Sequence, residues 1–364
     1  MPAYKDKQRG TWYAAFYYKD WTGATKHTVK RGFATQREAK EYERLFLNQQ
    51  SHGADILFEN LVDNYLDDMK SRVKPTTMEN KKEILLKKVV PYFGKMKIRD
   101  IDTICVRKWQ SEIMEYRNDD GKPYSQTYLK TMHAQLSAAL NYAVKHYGLD
   151  RNPCTIAGSI GKQRAEEMNF WTQEQFEEFA SQIKKPAMKL AFDILFFTGI
   201  RSGELLALTA SDILPDKKID INKNYAIVDD TELFLTPKTD KSCRKISIPD
   251  FLYDEIMEYI GNLYEYSPDE RIFYFTKRAL EHEIHRGADA ASLPHIRVHD
   301  LRHSHASLLI NMGFDIKEIS ERLGHESVKT TWDIYSHLYP DSDVELANKL
   351  NQIRRPSQNG ENNE

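Results

Sequence analysis

One segment, His299 to Tyr335, limits what this chain of 364 residues can fold into. It reads HDLRHSHASLLINMGFDIKEISERLGHESVKTTWDIY and crowds imidazoles, an arginine and a tyrosine into a short stretch. Between them Leu301, Leu308, Leu309, Ile316, Ile319 and Leu323 recur at helical intervals. The spacing predicts a helix, a break at Met312-Gly313-Phe314, a second helix, a stop at Gly324-His325, and a third helix carrying Tyr335. The polar residues fall near helix ends and turns, so a packed helical scaffold can aim them at one point.

Arg302, His299, His325 and Tyr335 together suit one kind of chemistry. A guanidinium donates two parallel hydrogen bonds to a phosphate and keeps its charge. Imidazoles donate hydrogen bonds or carry protons near neutral pH. A tyrosine hydroxyl, with a free pKa of about 10, is a poor nucleophile until positive charge stabilises its phenolate. Arginines around a phosphodiester supply that charge and also neutralise the transition state. Any one of these residues is as readily a helix cap or a core side chain; the constellation carries the argument.

The motifs HDLRHSHAS, LGHES and TTWDIYSH resemble the signature of the tyrosine recombinases, or phage integrases: H-x-x-R-H, then L-G-H, then T-x-x-x-Y. Upstream, TGIRSGELLALTASDI resembles the first arginine box of that family. The resemblance implies that Arg201 and Arg302 bind the scissile phosphate and that Glu204 buttresses the site. Glu204 follows Arg201 at i, i+3, on one face of a helix, where it can orient the guanidinium. It implies that His299 handles a proton or orients the phosphate, that His325 contacts the phosphate, and that Tyr335 is the nucleophile, with Tyr339 its rival. PKTDKSCRKISIP resembles the family hairpin whose lysine protonates the leaving 5′ oxygen; Lys238 is the better positional match and Lys241 its rival.

The rest of the chain is read in the same frame. Residues 1–54 predict a small module, with strands in TWYAAFYYK and ATKHTVKRGF and then a helix capped by Thr35 with Glu38 completing a capping box. Ten Lys/Arg stand against five Asp/Glu in the first fifty residues, so this module is basic although the whole chain carries a formal charge of -2. It is similar to the arm-type DNA-binding domains of integrases from phages and conjugative transposons. Residues 55–165 predict an all-helical domain, similar to the integrase core-binding domain. One of its helices runs over KPTTMENKKEILLKKVVPYFG, and it ends in a linker broken by Pro153, Gly158 and Gly161. Residues 166–364 predict a mainly α, α+β catalytic domain. There Thr172 and Gln175 form a capping box, strands run through KIDINKNYAIVDDTELFLTPKTDKSCRKISIPD, and a loop after the helix DFLYDEIMEYIGNLYEY leads back to His299. A short helix over 341–355 and a polar, disordered end at 356–364 complete it.

The expectation is a multidomain, site-specific recombinase of a mobile element. It integrates and excises DNA through a 3′-phosphotyrosine link and needs neither metal nor ATP. Its partners, on the resemblance, are double-stranded DNA core and arm sites and three further copies of itself in a tetramer. An excisionase and a host DNA-bending protein are left open. Three scattered cysteines, Cys105, Cys154 and Cys243, point to a reducing compartment. No apolar leader and no membrane span is read, which places the protein in the cytoplasm. Three alternatives stand beside this reading: an occupancy-only DNA-binding protein, a type IB topoisomerase, and a metal enzyme built on His299, His303 and His305. Two arginines and a lysine in the same site would repel the cation of the last.

Overall fold

The computed structural model describes residues 3–6, 10–19, 25–49, 53–162, 169–236, 242–338 and 350. The chain divides into two compact units, Met1–Glu166 and Glu167–Glu364.

The first unit opens with three antiparallel strands, β1 (Ala3–Lys5), β2 (Trp12–Lys19) and β3 (Thr25–Phe33), in that spatial order. Helix α1 (Gln36–Gln49) follows. Alternation along β2 decides the faces. Ala14 and Phe16 are buried with Ala39, Tyr42 and Phe46 of α1. On the opposite face Tyr13 stacks on Tyr4 at 5.3 Å and lies beneath Arg31, while Tyr17, 70% exposed, meets His27. Strand β1, three residues long, is too short to show alternation and is not expected from sequence. Thr35 Oγ1 accepts from the Glu38 N–H, but the Glu38 carboxylate reaches the Ala34 N–H (2.9 Å) instead of that of Thr35. The expected capping box is therefore displaced by one residue.

Six helices follow: α2 (Phe58–Met69), α3 (Pro75–Ile84), α4 (Val90–Phe93), α5 (Thr103–Glu115), α6 (Gln126–His146) and α7 (Pro153–Ala157). Their core joins Phe58, Leu61, Phe93, Trp109, Leu136 and Leu140. The single helix expected from Pro75 onward is interrupted by a π-helical turn, Leu85–Val89. Pro91 has no N–H to give and its ring blocks the carbonyl one turn back, so the backbone takes a wider turn ahead of it. Pro153, expected to break a linker, instead opens α7. Asn152 Oδ1 caps that helix through the Cys154 N–H (2.9 Å), and Cys154 is buried in the domain core.

The second unit begins with α8 (Gln173–Ser181), whose Thr172–Gln175 capping box forms as the sequence predicts. Next come α9 (Pro186–Thr198) and α10 (Ser202–Leu205). Helix α9 is apolar nearly all round and buried. Helix α10 is a single turn, and Leu205, Leu206, Ala207 and Leu208 at and beyond its end are all buried. Strands β4 (Ile213–Leu214), β5 (Lys218–Ile221) and β8 (Arg244–Ser247) form one antiparallel sheet. Strands β6 (Asn224–Val228) and β7 (Thr231–Leu235) form a hairpin that turns on Asp229 and Asp230, both at positive φ.

Helix α11 (Asp250–Gly261) is followed by α12 (Lys277–Ala290), where the sequence reading expects only a loop. Leu280, Ile284 and Ala288, four residues apart, are the buried stripe of α12. The chain closes with α13 (Leu301–Asn311), α14 (Ile316–Leu323) and α15 (Val328–Tyr335), with Gly313 and Gly324 at positive φ at the breaks the sequence predicts. Apart from Leu350, the expected tail at 341–364 lies outside the described residues, as does the expected turn at 238–241. Among the described residues no helix is long and apolar enough to cross a membrane.

Candidate active site

The site is built on two helix ends. Helix α9 stops at Gly199, which takes the left-handed conformation at φ +67. A Cβ there would lie 2.6 Å from His305 Cδ2 and 2.8 Å from Leu323 Cδ2, so only glycine lets α9 come this close to α13 and α14. Helix α14 stops in the same way at Gly324, against the Arg244 side chain. The free carbonyls at these ends, the negative poles of the helices, are taken by arginines. Arg302 donates from Nη1 to Gly199 O (2.8 Å) and from Nη2 to Leu323 O (2.6 Å). Arg322 donates from Nη2 to Phe197 O, from Nη1 to Ser247 O, and from Nε to His305 Nε2 (2.9 Å). Arg244, on β8, donates from Nε to Arg322 O (2.8 Å).

Arg201 lies just ahead of α10 and is fastened by Glu204. Its backbone N–H donates to Glu204 Oε2 (3.0 Å) and its Nη1 to Oε1 (2.7 Å). The same carboxylate accepts from Arg244 Nη2 (3.1 Å) and Nη1 (3.4 Å). Burial alone would raise the Glu204 carboxyl, but the Arg244 charge, followed by Arg201, outweighs it and holds the group below its ordinary value. Burial, together with the Arg201 and Arg244 charges, brings Arg302 down to about 9, still protonated at neutral pH. Arg201 and Arg244 share one carboxylate, and Arg302 lies within their field, an excess of positive charge that suits an anion.

His299 sits on the short 3-10 turn Val298–Asp300 that leads into α13, with an edge open to solvent. Burial of its inner side, then the Arg302 and Arg201 charges, lower its pKa. His325 follows Gly324 and shares a hydrogen bond between Nδ1 and Thr331 Oγ1 (2.8 Å). Burial and the charges of Arg302 and Arg201 hold it down at about 3, so it is neutral. Tyr335, 1% exposed, packs with Ala306, Ile310, Ile319 and Leu323. Its hydroxyl lies 2.7 Å from His303 Nδ1. Burial pushes the phenol up to about 12 against the lowering effect of Arg302.

The structure thus brings Arg201, Glu204, His299, Arg302, His325 and Tyr335 into one neighbourhood, linked by the contacts and fields above. Lys238, Lys241 and Tyr339 lie outside the described residues. Of the three histidines of the metal alternative, His303 meets both Tyr335 and His299, whereas His305 meets Arg322. Among the described residues no group of three His, Cys, Asp or Glu is placed to hold a metal ion.

Residues 169–341 match the phage integrase family, residues 57–114 its N-terminal SAM-like domain, and residues 2–50 the arm DNA-binding domain. The ICEBs1 integrase of Bacillus subtilis is 33% identical over 343 residues, covering 88% of this chain and 91% of its own. The chain belongs to the phage integrase family. A XerC-like tyrosine recombinase of Caldanaerobacter subterraneus is 27% identical over 296 residues, covering 71% of this chain and 73% of its own. In fold, this integrase is similar to the Tn1549 transposon integrase solved with transposon right end DNA. That likeness has a TM-score of 0.65 at 21% identity and covers 81% of this chain and 99% of that one. The chain is a tyrosine recombinase of the integrase type.

Sequence reasoning left three members out of this neighbourhood. Arg244 lies in the quoted hairpin segment, but nothing in the spacing says that it, and not a lysine, turns inward to Glu204. Arg322 reads as a charged residue in the last turn of an amphipathic helix, yet it reaches across to α9. His303 stands inside the H-x-x-R-H motif, where the sequence offers it only as a metal ligand. Its position is legible after the fact: with Ala306 and Ile310 it forms the stripe of α13 on which Tyr335 packs.

Proposed function

We propose that this integrase cuts and rejoins double-stranded DNA at attachment sites, integrating and excising a mobile element. Tyr335 attacks the scissile phosphorus in line, its oxygen becomes a 3′-phosphotyrosine, and the 5′ oxygen leaves. That 5′ hydroxyl then attacks the phosphotyrosine of the partner strand. Bond energy is kept in the covalent link, so the chemistry requires neither ATP nor a metal ion. Arg201 and Arg302 grip the phosphate, with Glu204 holding Arg201. His299 orients the phosphate from the open edge of the site, His325 contacts it, and Lys238 protonates the leaving oxygen.

The observation that carries this reading is the convergence of Arg201, Arg302 and His325 beside Tyr335, with the guanidiniums fixed in advance. Charge stabilisation that needs no rearrangement is the strongest part of such catalysis. Residues 1–54 bind arm sites, residues 55–165 grip the core site, and residues 166–364 carry the chemistry. Four copies on two synapsed sites exchange strands in pairs, in the cytoplasm, with an excisionase and a DNA-bending protein as accessory partners.

The test is a suicide duplex, nicked near the cleavage point of its own element's junction and incubated in EDTA. A covalent protein–DNA band on a denaturing gel that vanishes in Tyr335→Phe supports the reading. A band that persists in Tyr335→Phe moves the nucleophile elsewhere, with Tyr339 next to test. Binding without any band leaves an occupancy-only protein.

A further inference from the structure

A tyrosine that attacks phosphorus must lose its proton, and one side chain touches that proton. The Tyr335 hydroxyl is 2.7 Å from His303 Nδ1, with ring centroids 5.6 Å apart. Among the described residues it has no other hydrogen-bond partner. In the tautomer that carries the ring proton on Nε2, His303 Nδ1 accepts from the Tyr335 O–H. His299, the histidine that the family resemblance favours for proton handling, stands behind His303, edge to face at 5.6 Å between centroids. The contact follows from the fold: His303, Ala306 and Ile310 share the face of α13 against which Tyr335 is packed.

We infer that His303 is a catalytic residue, the general base that takes the Tyr335 proton during DNA cleavage. The inference rests on Tyr335 being the nucleophile. In the step, the Tyr335 O–H bond breaks and its proton passes to His303 Nδ1. The Tyr335 oxygen bonds to phosphorus, and the bond from phosphorus to the 5′ oxygen breaks. The 5′ oxygen keeps the electron pair and is protonated by the general acid. On rejoining, the 5′ hydroxyl returns its proton to the general acid and attacks phosphorus, the tyrosine oxygen leaves, and it recovers its proton from His303. No proton is gained or lost over the cycle.

The surroundings suit the role. His303 is faced by His299, Asp300, Arg302 and Arg297 from its own end of the chain, by His325 from the turn after α14, and by Tyr335 from α15. Burial, followed by the neighbouring His299, holds it down at about 4, so at neutral pH the ring is in its accepting form. Burial puts the Tyr335 phenol at about 12. At neutral pH a spontaneous phenolate would then be on the order of one molecule in 10⁵, which is what a base remedies. A phosphate arriving beside Arg302 cancels part of the positive field on His303 and moves its basicity toward the working pH.

The test uses the full chain and the same nicked junction duplex in EDTA, in single-turnover cleavage from about pH 6 to pH 8.5, below the range in which Arg302 loses charge. His303→Ala is expected to bind the duplex like the wild type in a gel shift and to form the covalent adduct about 10²–10⁴-fold more slowly near neutrality. Its rate then climbs about tenfold per pH unit, following the phenolate fraction, while the wild type levels off. The deficit therefore closes as pH rises. A deficit that stays constant with pH means that His303 only props the tyrosine ring, and overturns the inference. A rate near that of the wild type at neutral pH overturns it too. His303→Asn, which keeps a polar atom near Nδ1 but cannot take up the proton, is put to the same pH series if the alanine variant fails the gel shift. Tyr335→Phe is run alongside. An adduct retained there removes the nucleophile and this inference together; an adduct lost there, with His303→Ala at full speed, removes the inference alone.

Discussion

Arg244 and Glu204 form a buried ion pair, with Nη2 3.1 Å from Oε2 and side chains 8% and 3% exposed. The pair links β8 to the start of α10, and the same arginine reaches the carbonyl of Arg322 at the end of α14. Removing one partner of such a pair leaves the other charge buried and only partly compensated. Arg244→Ala should therefore cost about 3–5 kcal/mol of stability and slow cleavage by loosening Arg201. Urea unfolding measures the first effect and the suicide duplex the second. A loss within the range of an exposed ion pair, about 1 kcal/mol or less, would show that Glu204 is adequately held by Arg201 alone.

Gly199→Ala should be far more damaging than a single methyl suggests. The position is left-handed, which costs a non-glycine residue roughly 1–2 kcal/mol, and the new Cβ would press on His305 and Leu323. The Gly199 carbonyl that holds Arg302 must then shift. Cleavage should fall even at temperatures where the variant is folded, although no group proposed to touch DNA has been changed. Wild-type rates in a folded Gly199→Ala protein would show that the Arg302 bond to this carbonyl does not set the arginine's aim.

Stability should fall as the solution is acidified. His305, buried beside Arg322, is held down at about 3 by burial and then by that charge, whereas an unfolded imidazole takes its proton near pH 6.5. The folded value lies below the unfolded one, so between about pH 6.5 and pH 3 the unfolded chain binds the extra proton. The stabilisation is complete above that window and is lost as pH drops through it, at about 1.4 kcal/mol per pH unit for each such ring. His303 at about 4 and His325 at about 3 act in the same direction. Urea midpoints followed from pH 7 to pH 4.5 should decline steeply, and His305→Gln should flatten the decline. Parallel curves for the wild type and His305→Gln would refute the assignment.

Deleting residues 1–54 should weaken binding to arm sites and leave core-site cleavage measurable. The open sheet face, with Tyr17, His27 and Arg31, is the surface that would be lost. Binding through it should be steeply salt-dependent, with log K falling by about 0.9 per log unit of salt for each phosphate neutralised. Unchanged arm-site affinity in the deletion would refute the role given to this module.

Much of this was legible in the sequence because the deciding signals are local. The glycines at 313 and 324 and the capping box Thr172–Gln175 mark helix ends by backbone chemistry alone, and the ends lie where they were read. What escaped depends on partners distant in sequence. Helix α12 has a buried stripe but a highly polar remainder, and its neighbours decide that it folds. Pro91 alters the helix ahead of it, an effect that a hydrophobic pattern does not record. Arg244 and Arg322 look like solvated surface charges until the carbonyls of α9 and α14 are brought to them. The roles of His303 and His305 likewise come from Tyr335 and Arg322, each many residues further along the chain.

Arg302 is tied at once to the last turn of α9 and the last turn of α14, by bonds of 2.8 Å and 2.6 Å. A guanidinium is rigid, so the two bonds together act as a gauge block between the helices. If the helices drift apart by more than about an ångström, at least one bond passes beyond the ordinary hydrogen-bonding range and the arginine loses its bearing. Substitutions in the apolar packing of α9 and of α14 against α13 should then show up as faults of alignment in the chemistry before they show up as unfolding.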